Sequence, residues 1–178
     1  MKTEILAQAI GIVAMAFNIL SYQGKKQSTV IALQLVGGAL FAVNFFMLGA
    51  MVGAILNTIA AIRAILFLFK EKIKCDRLPW LIGSIAVYCT VYVLSFTTFG
   101  TQPTIGNFIL ELLPVVGMTA TSIGFSLKTA ADVRKCGLVS SPSWLTYNIA
   151  AGSIGAIICE SVTLISIMVG MYRHDRKR

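Results

Sequence analysis

Apolar residues run along this chain in seven stretches, each parted from the next by a short polar or glycine-containing break. A helix needs about 20 apolar residues to cross the hydrocarbon core of a bilayer, within a working range of about 17–25. The stretches at 4–22, 28–48, 50–69, 80–99, 105–127 and 151–172 meet that requirement. The sixth in chain order, 136–150, is short and interrupted by Pro142, and the charged segment 128–135 ahead of it reads as an interfacial helix start. The pattern predicts an all-α polytopic membrane protein with seven transmembrane helices.

Composition agrees. The chain is 57% hydrophobic and 12% charged, with a mean hydropathy of +0.82, whereas a soluble domain is about a quarter charged. The net charge of +8 would suggest nucleic acid in a soluble protein. Here the basic residues sit in short loops between apolar spans, where they set orientation, so a nucleic-acid partner is not expected. With seven spans, thirteen of the fifteen Lys and Arg residues fall on one side, from Lys25 and Lys26 through Lys70–Arg77 and Lys128–Lys135 to the tail at Arg173–Arg178. The positive-inside rule then places the N-terminus in the periplasm and the C-terminus in the cytoplasm. Lys2 and the Ala14-Met15-Ala16 triplet imitate a cleavable leader, but Glu4 dilutes the basic start and the span continues through Asn18.

Seven spans divide as three, one and three. A three-helix unit has an odd number of crossings, so a second copy in the same orientation needs one inverting helix between them. Shifting the first unit by 103 residues places Gln8 on Glu111, Phe41 on Trp144, Gly49 on Gly152, Gly53 on Ala156 and Asn57 on Glu160. The expected plan is a triple-helix bundle at 1–70, a loop and linker helix at 71–103, and a second bundle with a basic tail at 104–178. Parallel repeats of this kind are a known transporter architecture, with the site at the repeat interface near the midplane.

The candidate site follows from that plan. Phe41 and Asn57 are 16 residues apart, as are Trp144 and Glu160, and each pair straddles the turn between the second and third helices of its unit. An aromatic face opposite an amide or carboxylate gives a small polar ligand stacking area and an orienting hydrogen bond. Trp144, Tyr147 and Asn148 share one helical face. Pro142 would free a carbonyl one turn earlier, and a helix broken at that depth is tolerated only against protein or water. An intramembrane glutamate is a functional-site hypothesis in its own right. The plainer reading makes Phe41 and Trp144 core or lipid-facing aromatics and Asn57 a helix-joining amide.

Arg63 lies inside a span and either snorkels to the interface or serves as a charge partner for Glu160 or a substrate. Glu111, near the outer end of the fifth span, is either a gate residue or a solvated carboxylate. The GxxxG at Gly49–Gly53 is open to two readings, packing within the bundle and a homo-oligomer contact. Cys75, Cys89, Cys136 and Cys159 have no metal or dithiol spacing. No HExxH, GxSxG or P-loop is present, so neither an enzyme, a metal nor a cofactor is expected.

Several motifs, Ser21-Tyr22-Gln23, Leu48-Gly49-Ala50, Asn57, Ser141–Asn148 and Ser153–Glu160, resemble the YgjV family of bacterial inner-membrane proteins. A more remote similarity links the chain to the SWEET and SemiSWEET transporters. It implies the same three-one-three plan, with Phe41/Asn57 and Trp144/Glu160 in place of the substrate-contacting Trp and Asn of each bundle. Glu160 stands where those transporters carry Asn, which shifts the expected solute from neutral sugar toward a small polar or cationic one. The expectation is an inner-membrane, small-solute transporter working by alternating access. The alternative is a non-transporting membrane protein that regulates or scaffolds a partner.

Overall fold

The computed structural model describes residues 2–21, 27–69, 73, 78–127 and 130–174. Most of the basic positions behind the orientation reading, including Lys25, Lys26, Lys70–Lys72, Lys74, Arg77, Lys128 and Arg176–Arg178, lie outside the described residues, as do Tyr22 and Gln23. Among the described residues the long elements are seven helices: α1 (Lys2–Ser21), α2 (Gln27–Met47), α3 (Met51–Leu68), α4 (Leu78–Thr97), α5 (Ile105–Ser126), α6 (Ala130–Ala151) and α7 (Ile154–His174). No strand occurs among the described residues. Among the described residues four helices, α1, α4, α5 and α7, are long and apolar enough to cross a membrane, and α2 and α3 contain shorter apolar helices at Ile31–Met47 and Met51–Leu66.

The region of the sixth stretch differs from its sequence pattern. In place of an interfacial start and a break, one helix runs from Ala130 to Ala151 with Pro142 inside it. A proline deletes one backbone bond and crowds the preceding turn, but membrane helices absorb this where hydroxyl side chains re-satisfy backbone groups nearby. Ser143 Oγ donates to Val139 O at 2.8 Å and Thr146 Oγ1 to Pro142 O at 2.9 Å.

Two turns have the same construction. Gly49 takes φ +76° and Gly152 φ +68°. Gly49 N–H donates to Phe46 O at 3.1 Å and Ala50 N–H to Phe45 O at 2.9 Å; Gly152 N–H donates to Ile149 O at 3.2 Å and Ser153 N–H to Asn148 O at 3.1 Å. This pair of bonds is the Schellman helix ending, which needs a left-handed residue at the glycine. The left-handed conformation costs an L-residue about 1–2 kcal/mol, so Gly49→Ala and Gly152→Ala should each lower stability by about that amount. Gly83→Ala, inside α4 with open space around it, should be neutral or stabilising. Thermal unfolding of the three variants in detergent checks the contrast.

The chain forms two compact units, one of Met1–Cys75 with Asn148–Cys159, the other of Asp76–Tyr147 with Glu160–Arg178. In the first unit α2 packs on both α1 and α3. Its buried residues include Ala7, Ala14, Phe41, Phe45, Val52 and Leu56. Where α1 meets α2, the Asn18 amide donates to Ala14 O at 3.2 Å, and a Cβ on Gly37 would collide with that amide.

In the second unit α4 packs on α5. Fully buried Tyr88 bonds Ser122 Oγ at 3.0 Å, and the rings of Phe96 and Phe108 lie 4.5 Å apart. Where α5 meets α6, Thr121 Oγ1 donates to Gly117 O at 2.9 Å, and Ser140 Oγ reaches both Gly117 O at 2.9 Å and Thr121 Oγ1 at 2.8 Å. Gly117, Thr121 and Ser140 are the 103-residue counterparts of Ala14, Asn18 and Gly37.

Candidate functional site

In the second unit, α6 presents a buried polar and aromatic face at Ser140, Ser141, Ser143, Trp144 and Tyr147. The absence of a side chain at Gly117 admits the Trp144 indole: a Cβ there would lie 2.6 Å from Trp144 Cδ1 and 2.7 Å from Nε1. Tyr147 meets Trp144 edge-on, with ring centroids 6.1 Å apart and planes at 87°. That geometry directs the positive edge of one ring at the negative face of the other.

Glu160, half-buried in the second turn of α7, accepts a hydrogen bond from Ser141. Ser141 and Trp144 are three residues apart on α6 and therefore neighbours on its surface. The structure thus brings the carboxylate to within one helical turn of the aromatic pair. Three further hydroxyls of α6 are engaged with backbone, Ser140 with Gly117 O, Ser143 with Val139 O and Thr146 with Pro142 O. Among the described residues this part of the unit brings together one carboxylate and two aromatic rings.

The counterpart residues in the first unit are engaged locally. Phe41 is buried against Phe45, with ring centroids 6.2 Å apart. Asn57 Nδ2 donates to Gly53 O of its own helix at 2.9 Å. Arg63 is half-buried on α3. Asn148, in the last turn of α6, is 2% exposed, and its Oδ1 has no hydrogen-bond partner among the described residues. Glu111, in the second turn of α5, likewise has a buried Oε2 without a partner among the described residues.

Sequence reasoning missed a polar cluster in the first unit, where α1 and α2 meet the α6–α7 turn. Fully buried Asn44 donates from Nδ2 to Ala7 O at 2.7 Å and accepts from Ser153 Oγ at 2.6 Å. Ser153 Oγ in turn accepts from Ala156 N–H at 3.4 Å, capping α7. Gln8 brackets the same turn, donating from Nε2 to Gly152 O at 2.7 Å and accepting Ile154 N–H at Oε1 at 3.0 Å. Below these bonds α1 and α7 touch through Gly11 and Gly155, and a Cβ on Gly155 would overlap the Gly11 carbonyl. The one sequence signal was a run of intramembrane amides, Gln8 and Asn44, on helices that otherwise lack a reason for them.

Among the described residues no group of three His, Cys, Asp or Glu side chains could hold a metal ion. No curated protein and no solved structure matches the chain. The apolar helices with their enclosed polar groups fit an integral membrane protein. The family described as Imp-YgjV, bacterial inner membrane protein, matches residues 5–178, and the chain belongs to it.

Proposed function

We propose that the protein is a small-solute transporter working by alternating access. The observation that carries this reading is Glu160, a carboxylate inside an apolar helix, held by Ser141 and within a turn of the Trp144–Tyr147 pair. Ionisable groups at such positions are expensive and are typically retained where they meet a substrate, an ion or a water-filled path. A carboxylate beside aromatic rings suits a small polar or cationic solute. Phe41 and Asn57 form the milder half-site of the first repeat, and Trp144, Tyr147, Asn148 and Glu160 that of the second. Seven spans arranged three, one and three, with bundles at 1–70 and 104–178 and a linker at 71–103, complete the plan. Support for the duplication comes from the two matching Schellman turns and the matched α1–α2 and α5–α6 contacts, all offset by 103 residues. The positive-inside rule applied to the basic residues of the sequence supports an N-terminus in the periplasm and a C-terminus in the cytoplasm.

Purified protein in liposomes, screened against sugars, amines and vitamin precursors, tests the proposal. Uptake of the accepted solute should fall at least about tenfold in Glu160→Ala combined with Asn57→Ala, the equivalent of about 1.4 kcal/mol or more of lost interaction. Unchanged uptake would sink the site assignment. The local engagement of Asn57 with Gly53 O and of Phe41 with Phe45 favours the second reading, a regulator or scaffold with a closed core. That reading predicts no uptake of any solute and a copurifying partner protein.

A further inference from the structure

We propose that Gln8, Asn44 and Ser153 form a gate that opens and closes one end of the transport path; this rests on the transport reading above. In the first unit two kinds of seam occur. The α1–α2–α3 seams bury Phe41, Phe45, Val52 and Leu56, and separating them would expose apolar surface at about 25 cal/mol per Å². The seam between α1 and the start of α7 is different. It is closed by Gln8, which donates to Gly152 O and accepts from Ile154 N–H, and the same turn is tied to α2 by the bond from Ser153 to Asn44. Beneath them Gly11 and Gly155 bring the backbones of α1 and α7 into close approach.

Such a seam is built to part. Water can replace each bond, and a typical intramolecular hydrogen bond contributes only about 0.5–1.5 kcal/mol net. Two backbone-close glycines expose little apolar area on separation. Gln8 lies at the rim, where its bonds are already exposed. The inner members, Asn44 and Ser153, are fully buried, so their bonds break favourably only when water enters, which makes opening an all-or-none event. The position corresponding to Gln8 in the second repeat is Glu111, whose Oε2 has no partner among the described residues.

Cys159 reports on the clasp. It is buried on α7 one turn beyond Gly155. In a Cys75→Ser/Cys89→Ser/Cys136→Ser background, a membrane-impermeant methanethiosulfonate is applied first to intact cells and then to inverted vesicles. Gln8→Ala, and Gln8→Ala with Ser153→Ala, should accelerate modification of Cys159 at least about tenfold at one membrane face only. Gln8→Glu, which keeps the acceptor for Ile154 N–H and loses the donor to Gly152 O, should fall between parent and Gln8→Ala. This single change at the rim gives a folded variant even if the double variant fails to accumulate. Equal rates at both faces for parent and variants, or acceleration at both faces, would overturn the gate. An uptake screen that finds no solute would overturn the transport reading while leaving a one-sided accessibility change standing.

Discussion

Gly155→Val is expected to be the most damaging single substitution in the protein. In unit one the backbone of α7 at Gly155 approaches that of α1 at Gly11 so closely that even a methyl group would overlap the Gly11 carbonyl and lie 2.8 Å from Ile12 N. The obstacle is main chain, which cannot swing aside as a side-chain tip can. Overpacking typically costs about 1–3 kcal/mol, and more where backbone must move. Valine adds two methyl groups to the overlap, so the cost should exceed that range. Forcing the helices apart would also strain the Gln8 and Asn44 bonds to the neighbouring turn. The expected outcome is protein that aggregates on size-exclusion chromatography in detergent, with Gly155→Ala folded but at a clearly lower thermal midpoint. A Gly155→Val protein with parental stability would show that the two helices do not meet as described.

Asn44→Leu should have the next largest effect. Asn44 is fully buried and works in both directions, donating to Ala7 O at 2.7 Å and accepting from Ser153 Oγ at 2.6 Å. Leucine has similar volume, so the change removes two hydrogen bonds while keeping the packing. Interhelical bonds in membrane proteins average about 0.6 kcal/mol and reach about 1.7, and a buried group left unsatisfied costs about 1–3 kcal/mol. A total loss of about 2–4 kcal/mol follows for two bonds and one stranded hydroxyl. Asn44→Asp distinguishes the two bonds: it retains an acceptor for Ser153 but offers Ala7 O no donor when ionised. Thermal unfolding should rank the parent above both variants. A leucine variant at parental stability would remove Asn44 from the cluster.

The helical class was legible because an uninterrupted apolar run has few solutions in a bilayer. The turn at Gly152 was legible as a counterpart of Gly49, because a left-handed position leaves a glycine in the sequence. The seam contacts were not legible. Ala14, Asn18 and Gly37 in one unit correspond to Gly117, Thr121 and Ser140 in the other, and no pair is identical. The match lies in what the side chains reach, a carbonyl one turn back on the same helix and a small residue on the next. Pro142 misled for the opposite reason: it suggested a broken helix, yet α6 runs through it. The amides Gln8 and Asn44 stood out in the sequence, but their joining with Ser153 was not legible because the three are 36 and 109 residues apart in the chain, and only folding brings them together. Of the candidate site, the 16-residue spacing singled out Trp144 and Glu160, but the bond that ties Glu160 to α6, through Ser141, left no signal in the sequence.

The α6–α7 reversal fixes the phase of two helices as firmly as a two-residue hairpin fixes the register of two strands. Gly152 and Ser153 alone separate the last residue of α6 from the first of α7, and both are tied by backbone bonds. Trp144 and Glu160 each lie eight residues from Gly152. Deleting one residue between Trp144 and the turn would move the indole by about 1.5 Å along α6 and rotate it by about 100° around the helix axis. No loop is available to take up that error. The spacing between the aromatic pair and the carboxylate is therefore inherited as a whole number of residues, and substitutions are the route by which it can be tuned.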